Sequence, residues 1–275
     1  VLDGKWQSCT GDEFMYHEPI IHPAAVICAM RGHAAKNALV LGGGEGATIR
    51  ELLRWKSIER ATMVDIDGDV VNACIEHLPE MHQGAFDDPR TDLVIGDALE
   101  YVKTPSNTPE GKWDLIVSDL SDPIVDGPSF PLFTREYFAD LEQILADHGV
   151  LVVQSGSLSP SYLPLHAKLS RTLRDVFPHV ATIMSTVPTY PAPWSFILAS
   201  RHEIDRWPDP DAIDRILADH IQPFGTRGLH MFDGRTMLGM LQPPKHVRDA
   251  IDAEETVLTM ANPPKFFGTG VAGRN

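Results

Sequence analysis

A chain of 275 residues with 43% hydrophobic content can bury a full core in one large domain, with room for a small appendage. Its formal net charge of -15 disfavours nucleic acid and anionic membrane as partners; it favours cationic ligands, or serves solubility alone. No apolar run approaches about 18 residues, no leader pattern opens the chain, and three scattered cysteines form no Cys-x-x-Cys pair, so a membrane span, secretion, a zinc ribbon and a disulfide framework are not indicated and a reducing cytoplasm is expected.

The first residue is Val rather than Met, and a trimmed N-terminus is expected. Turn signals at Asp3-Gly4 and Gly11-Asp12 predict a short strand or hairpin remnant, followed by a helix over residues 15–30. Residues 37–41 form an apolar strand-like run that ends in Gly42-Gly43-Gly44, and helical spacing follows over 45–55. Further strand-like runs cover 61–64, 92–95, 113–118 and 149–154. Helical patterns cover 70–78, 134–145 and 163–177, the first stopped by Pro79. Two last strands, 180–187 and 194–200, are joined by a Pro-rich turn and predict an antiparallel edge. The tail after Arg201 predicts short helices around 209–220 and 233–241.

Strands alternating with helices predict an α/β doubly wound parallel sheet. Its strands read as continuous apolar runs because they are buried on both faces. Acids follow four successive strands: Glu45, Asp65, Asp97 and Asp119. Open α/β sheets bind ligands at that edge. Any single one of these acids also suits a helix N-cap.

Gly42-x-Gly44-x-x-Ala47 matches a relaxed dinucleotide fingerprint, with Asp65 at about the spacing of a ribose-binding acid. The pattern fits nicotinamide, flavin or S-adenosylmethionine-type ligands. Glu45 inside the turn would repel a pyrophosphate and suit an ammonium group instead. Asp97 is placed to accept from an adenine amino group, or to cap a helix. In Asp119-Leu120-Ser121-Asp122-Pro123, two carboxylates three apart on a turn can face one cavity as cation binders or as base and partner. A magnesium site is the competing reading, and so is a capped turn before Pro123. Asp12-Glu13-Phe14-x-Tyr16-His17-Glu18 sets rings beside acids. His17 and His22 lack the i, i+4 spacing of a zinc helix, and no metal site is expected. Tyr190, in Thr189-Tyr190-Pro191, either lines the pocket or packs.

Taken together these stretches resemble the polyamine aminopropyltransferases, the spermidine, spermine and thermospermine synthases. The resemblance runs from Leu2-Asp3-Gly4-Lys5-Trp6-Gln7 to about Pro263 and includes Leu41-Gly42-Gly43-Gly44-Glu45-Gly46, Val64-Asp65-Ile66-Asp67 and Gly96-Asp97-Ala98. It implies a methyltransferase-like Rossmann domain over residues 33–275, preceded in 1–32 by the remnant of an N-terminal β-domain and a connecting helix. It implies a homodimer or homotetramer. By the same resemblance Asp119 is the catalytic base or orienting acid, while Tyr16, His17, Asp122 and Tyr190 lie on the polyamine side. Gln7, Gly42, Gly44, Glu45, Asp65, Asp97 and Ala98 lie on the donor side. The donor is decarboxylated S-adenosylmethionine, a co-substrate, and no cofactor is tightly bound. Three departures bear on the acceptor. Leu120 stands where many spermidine synthases have Ser. Glu45, often Asp in the family, is followed by Ala47-Thr48. Residues 82–90 are similar to the thermospermine and spermine branch.

The expected reaction is a direct displacement. A polyamine nitrogen attacks the aminopropyl carbon beside the sulfonium, and methylthioadenosine leaves. The rivals are a polyamine N-methyltransferase using the intact donor, a nicotinamide dehydrogenase and a non-catalytic polyamine-binding protein. Glu45 argues against the first two, and retention of Asp119 against the third.

Overall fold

The computed structural model describes residues 6–123, 129–190, 192–224 and 228–262. Residues 2–5 of the first motif, Pro191 and Pro263 lie outside the described residues. Residues 6–13 form coil and a turn that leads into helix α1 (Phe14–Met30).

Seven strands form one sheet: β1 (Asn37–Gly42), β2 (Arg60–Asp65), β3 (Thr91–Ile95), β4 (Trp113–Asp119), β5 (Leu145–Ser157), β6 (His179–Val187) and β7 (Ala192–Ser200). The order is β3-β2-β1-β4-β5-β7-β6. The first five strands are parallel; β7 runs antiparallel to β5 and to β6. This is the doubly wound sheet with an antiparallel edge that the apolar runs predict. The helices between and after the strands are α2 (Ala47–Leu53), α3 (Gly68–His77), α4 (Pro79–His82), α5 (Ala98–Lys103), α6 (Arg135–Ile144), α7 (Leu163–Arg174), α8 (Pro210–His220), α9 (Gly234–Met240) and α10 (Lys245–Ala253). Among the described residues no helix is long and apolar enough to cross a membrane.

Side chains alternate across the sheet because a strand has period two. In β1, Ala38 and Val40 bury on the face covered by α1, α2, α8 and α9, while Leu39 and Leu41 bury on the face covered by α5, α6 and α7. Both faces are dry, so the strand's buried stretch 38–41 contains no polar residue.

Helix α1 carries Pro19 and Pro23 in its interior. A proline donates no N–H to the carbonyl four residues earlier. For Pro19 that carbonyl belongs to Met15, and Ser185 Oγ on β6 donates to it at 2.7 Å. The sheet thus supplies the hydrogen bond that the helix lacks. The acids at the N-terminal end of α1 add two more ties. Asp12 accepts from the Thr189 backbone N–H at 2.6 Å and from its hydroxyl at 2.9 Å. Glu18 is buried and accepts from the backbone N–H groups of His230, Met231 and Phe232 at 2.6, 2.8 and 2.7 Å.

Several elements differ from the sequence reading: the expected strand or hairpin remnant is coil and turn over residues 6–13, and α4 was not anticipated after Pro79. Helix α2 begins at Ala47 rather than at 45, because Gly46 takes a left-handed φ of +78°. Strand β5 begins at Leu145 rather than 149; its ladder to β4 shifts register between Trp113 and Leu115. Helix α10 was not anticipated in the Pro-rich tail. Its buried Val247 and Ile251 stand four apart and pack against α7.

Candidate active site

The parallel ladder places the carboxyl ends of β1, β2, β3 and β4 side by side, so the four acids that follow them share one rim. Asp119 ends β4 opposite Gly42. Its Oδ1 accepts from the Tyr16 hydroxyl at 2.5 Å, and its Oδ2 from Thr48 Oγ1 at 2.6 Å. Helix α1 and helix α2 therefore grip one carboxylate from two sides. Burial raises the Asp119 pKa, the nearby charge of Glu45 raises it further, and the His17 charge and the two hydrogen bonds oppose them without cancelling them. Tyr16 is pushed well above the usual phenol range by burial and then by the charge of Asp119, so it stays a donor.

The glycine loop threads between two carboxylates. A Cβ on Gly43 would stand 3.2 Å from Asp119 Oδ2, and one on Gly44 would stand 3.0 Å from Asp65 Oδ2. Asp65 also accepts from the Asp67 N–H at 2.9 Å. Its pKa is raised, first by burial, then by the charges of Asp67 and Glu45. Gly46 packs under residues 82–86: a Cβ there would meet Phe86 Cε2 at 2.6 Å.

Asp97 caps α5, accepting from the Leu99 N–H at 2.8 Å, and is exposed. The capping role is therefore real, and it leaves the second oxygen of the carboxylate at the rim. Ala98, the first residue of α5, is buried. Asp122 Oδ1 accepts from Gln154 Nε2 at 3.0 Å, and the same amide nitrogen donates to the Leu120 carbonyl at 3.1 Å. Gln154 Oε1 accepts from the Gly156 N–H at 2.5 Å. One buried amide on β5 thus holds the acidic loop on the strand next to it. Tyr190 donates its hydroxyl to the Gln7 carbonyl. Its ring stands edge-on to Tyr16 at 6.0 Å and lies 4.4 Å from Trp194. Burial raises the Tyr190 pKa, and the charges of Glu45, Asp119, Asp12 and Asp122 add to it.

His17 is buried between two carboxylates. Its Nδ1 lies 2.9 Å from Glu13 Oε2, and its Nε2 lies 3.1 Å from Glu45 Oε1. Each nitrogen faces acceptors only, so each carries a hydrogen and the ring is an imidazolium. Burial alone would lower its pKa; the hydrogen bonds to Glu13 and Glu45 outweigh burial and raise it to about 10. The pairing continues inward. Arg50, also buried, donates to Glu13 at 2.7 Å, to Glu51 at 2.8 Å and to the Met81 carbonyl at 2.6 Å. Glu51 accepts in turn from Arg54 at 2.7 Å and from His22 at 3.0 Å. Trp55 Nε1 donates to the other His22 nitrogen, Nδ1, at 3.1 Å. An unpaired buried ion costs several kcal/mol, and here each has an opposite neighbour.

Sequence reasoning named Tyr16, His17, Glu45 and Asp119, and these are brought together. It did not name Thr48, Gln154, Glu13 or Arg50 as site residues. The Glu13/His17 spacing of four, one helical turn, was the available signal for one of them. Thr48 lies in the first turn after the glycine loop, where a side chain reaches the strand ends. Among the described residues no cluster of His, Cys, Asp and Glu has the geometry to hold a metal ion.

Residues 13–207 match the family model described as the spermine/spermidine synthase domain. The chain is 49% identical over 266 residues to the polyamine aminopropyltransferase of Synechococcus sp. (strain JA-3-3Ab), covering 96% of this chain and 83% of that one. It is 41% identical over 270 residues to the polyamine aminopropyltransferase of Aeropyrum pernix, covering 95% and 80%. The fold is similar to a crystal structure of spermidine synthase in complex with the transition state analogue AdoDATO, with a TM-score of 0.79 and 28% identity over 92% of this chain and 80% of that chain. Spermidine synthase from Thermotoga maritima superposes with a TM-score of 0.76, again at 28% identity over 92% and 80%. With its matched domain, its sheet order and its acidic rim, this chain belongs to the spermine/spermidine synthase family.

Proposed function

We infer that the chain is an enzyme that moves the aminopropyl group of decarboxylated S-adenosylmethionine to a polyamine, a putrescine-like or spermidine-like acceptor, and releases methylthioadenosine. The observation that carries the reading is the Asp119 carboxylate. It is held by Tyr16 and Thr48 at the end of β4, near Glu45 and beside the glycine loop.

In this reading the acceptor nitrogen arrives as an ammonium and must lose a proton, since an alkyl ammonium has a pKa near about 10.4. Asp119 takes that proton. Its base strength is already raised by burial and rises again when substrate displaces water. The nitrogen then forms a bond to the aminopropyl carbon while the carbon–sulfur bond breaks, and the electron pair leaves with neutral methylthioadenosine. The sulfonium is a good leaving group, so alignment is the main task, and positioning can lower a barrier by about 7–11 kcal/mol. Asp122 and Tyr190 hold the polyamine, supported by Gln154 and by the ring contacts with Tyr16 and Trp194. Glu45 holds the donor ammonium; Asp65 takes the ribose, Asp97 the adenine and Gln7 the nucleoside side.

The reading retains residues 1–32 as the end of an N-terminal β-domain with its connecting helix, ahead of the unit 33–275. Helix α1 serves both, since its side chains join the core of the following unit. It also includes a homodimer or homotetramer in the cytoplasm. The three free cysteines suit a reducing compartment.

The test is product analysis by mass spectrometry. The protein is given the decarboxylated or the intact donor and a panel of putrescine, agmatine, spermidine and longer amines. Aminopropylated amine and methylthioadenosine from the decarboxylated donor are expected. Methylated amine with S-adenosylhomocysteine, or no product from either donor, overturns the reading.

A further inference from the structure

The sequence resemblance puts His17 on the polyamine side, yet both of its ring nitrogens are spent on carboxylates and neither is left for an amine. We propose that His17 is a positioning residue for the aminopropyl donor: as an imidazolium clamped between Glu13 and Glu45, it keeps the Glu45 carboxylate ionised and aimed at the donor ammonium. The proposal rests on the aminopropyltransferase reading and deepens it.

A carboxylate holds an ammonium only while it is charged, and a half-enclosed carboxylate near other acids tends to take up a proton. Three acids stand close to it. Asp65 and Asp119 feel its charge, and Glu13 raises its pKa through space. Burial pushes the Glu45 pKa up, yet the hydrogen bond and charge of His17 bring it below the ordinary range. Besides that cation, a backbone hydrogen bond favours the charged form of Glu45, and His17 is the larger of the two influences in this rim of acids.

His17 can play the part only if it stays protonated in a buried place. Glu13 provides for that, and Arg50 keeps Glu13 in place at 2.7 Å. The groups facing His17 are Glu13 one turn earlier on α1, Glu45 from the loop after β1, Arg50 from α2 behind Glu13, Asp119 from the end of β4, and the Tyr16 ring at 5.0 Å. Glu45, His17, Glu13, Arg50, Glu51 and Arg54 alternate in sign from the rim inward. Only the first, Glu45, is partly exposed, with 22% of its side chain accessible; the rest are buried at 6% or less. The chain therefore ends at the site in a carboxylate, and its last link is the imidazolium.

The test uses the full chain with decarboxylated S-adenosylmethionine and a saturating amine, comparing wild type, His17→Gln, Glu45→Asp and the double variant. Wild-type formation of methylthioadenosine establishes the parent reading; its absence overturns both that reading and the donor role proposed for His17. For that reason imidazole 15N shifts are recorded as well, with the His17 signal assigned by its loss in His17→Gln. Both ring nitrogens are expected to stay protonated in wild type up to about pH 9, and a neutral ring at pH 8 overturns the proposal whatever the activity. In His17→Gln the donor KM at pH 7 is expected to rise about tenfold, the factor set by one pH unit of lost ionisation, and to fall back as pH rises to 9. Its kcat at saturating donor changes far less. Wild-type donor KM stays flat over the same range. The double variant is expected to bind donor better than the two single effects combined predict. A donor KM in His17→Gln that is independent of pH, or strictly additive effects in the cycle, overturns the proposal.

Discussion

Gly42 lies directly opposite Asp119 in the β1–β4 ladder, and the place a Cβ would take on Gly42 is 2.3 Å from the Asp119 carbonyl oxygen. The glycine also has φ +86°. Strand β4 can therefore bring its catalytic-side carboxylate against the glycine loop only because position 42 has no side chain. The obstruction is backbone, which cannot swing away. Gly42→Ala is expected to lower stability by about 2 kcal/mol or more and to move Asp119 away from Thr48. Urea unfolding reads the first effect and aminopropyl transfer the second. A variant with wild-type stability and rate would mean that the loop relaxes at no cost.

The proposed base predicts a particular acid limb. Deprotonated Asp119 is the active form, so kcat rises as pH climbs through its raised pKa. Asp119→Asn is expected to reduce kcat by about 10²- to 10⁴-fold and to abolish that limb. Thr48→Val removes a hydrogen bond that favours the carboxylate, so the limb should move upward by about one pH unit with the base still present. A pH–rate profile of the three proteins separates a base from a group that only orients substrate.

Ser185 and Pro19 make a purely structural prediction. The Ser185 hydroxyl satisfies the Met15 carbonyl that Pro19 leaves open. Ser185→Ala leaves a buried acceptor without its donor, at a cost of about 1–3 kcal/mol. The measurement is the urea midpoint. Because Met15 precedes Tyr16, the variant should also loosen the Tyr16 hydrogen bond to Asp119, seen as a lower rate.

His166 predicts an acid weakness. It is fully buried, with Nδ1 at 3.1 Å from Ser155 Oγ and 3.0 Å from Ser195 Oγ and with Nε2 3.0 Å from Thr182 Oγ1; burial lowers its pKa to about 3. The unfolded chain, with a pKa of about 6.5, binds a proton that the folded one refuses. Stability is therefore complete above about pH 6.5 and falls as pH drops toward 3, by up to about 1.4 kcal/mol per pH unit from this group. His166→Gln should be less stable at pH 7 yet show a shallower loss between pH 6.5 and 4 in urea titrations. An unchanged slope would place the acid sensitivity in the carboxylates instead.

The strands were legible in the sequence because burial on both faces removes polar residues from short runs such as 38–41, and that signal lies within a few neighbouring residues. The rim was legible for a related reason. Asp65 and Asp119 end their strands, Glu45 and Asp97 come shortly after theirs, and parallel strands put their carboxyl ends on one side. Helix α10 was less visible, since its pattern is short and set among prolines, and its partner α7 is far away in the chain.

By itself the sequence determined the doubly wound sheet, its antiparallel edge and the acidic rim, all of which follow from patterns that act over a few residues. Only the tertiary structure decided which side chain meets which. Tyr16 and Asp119 are 103 positions apart, and Gln154 reaches Asp122 across 32. The sequence resemblance places His17 on the acceptor side; that its two nitrogens face Glu13 and Glu45 is visible only in the folded chain. Such contacts depend on how α1 lies across the sheet, and that is set by packing and by ties such as Ser185 to Met15, not by any local preference of the chain.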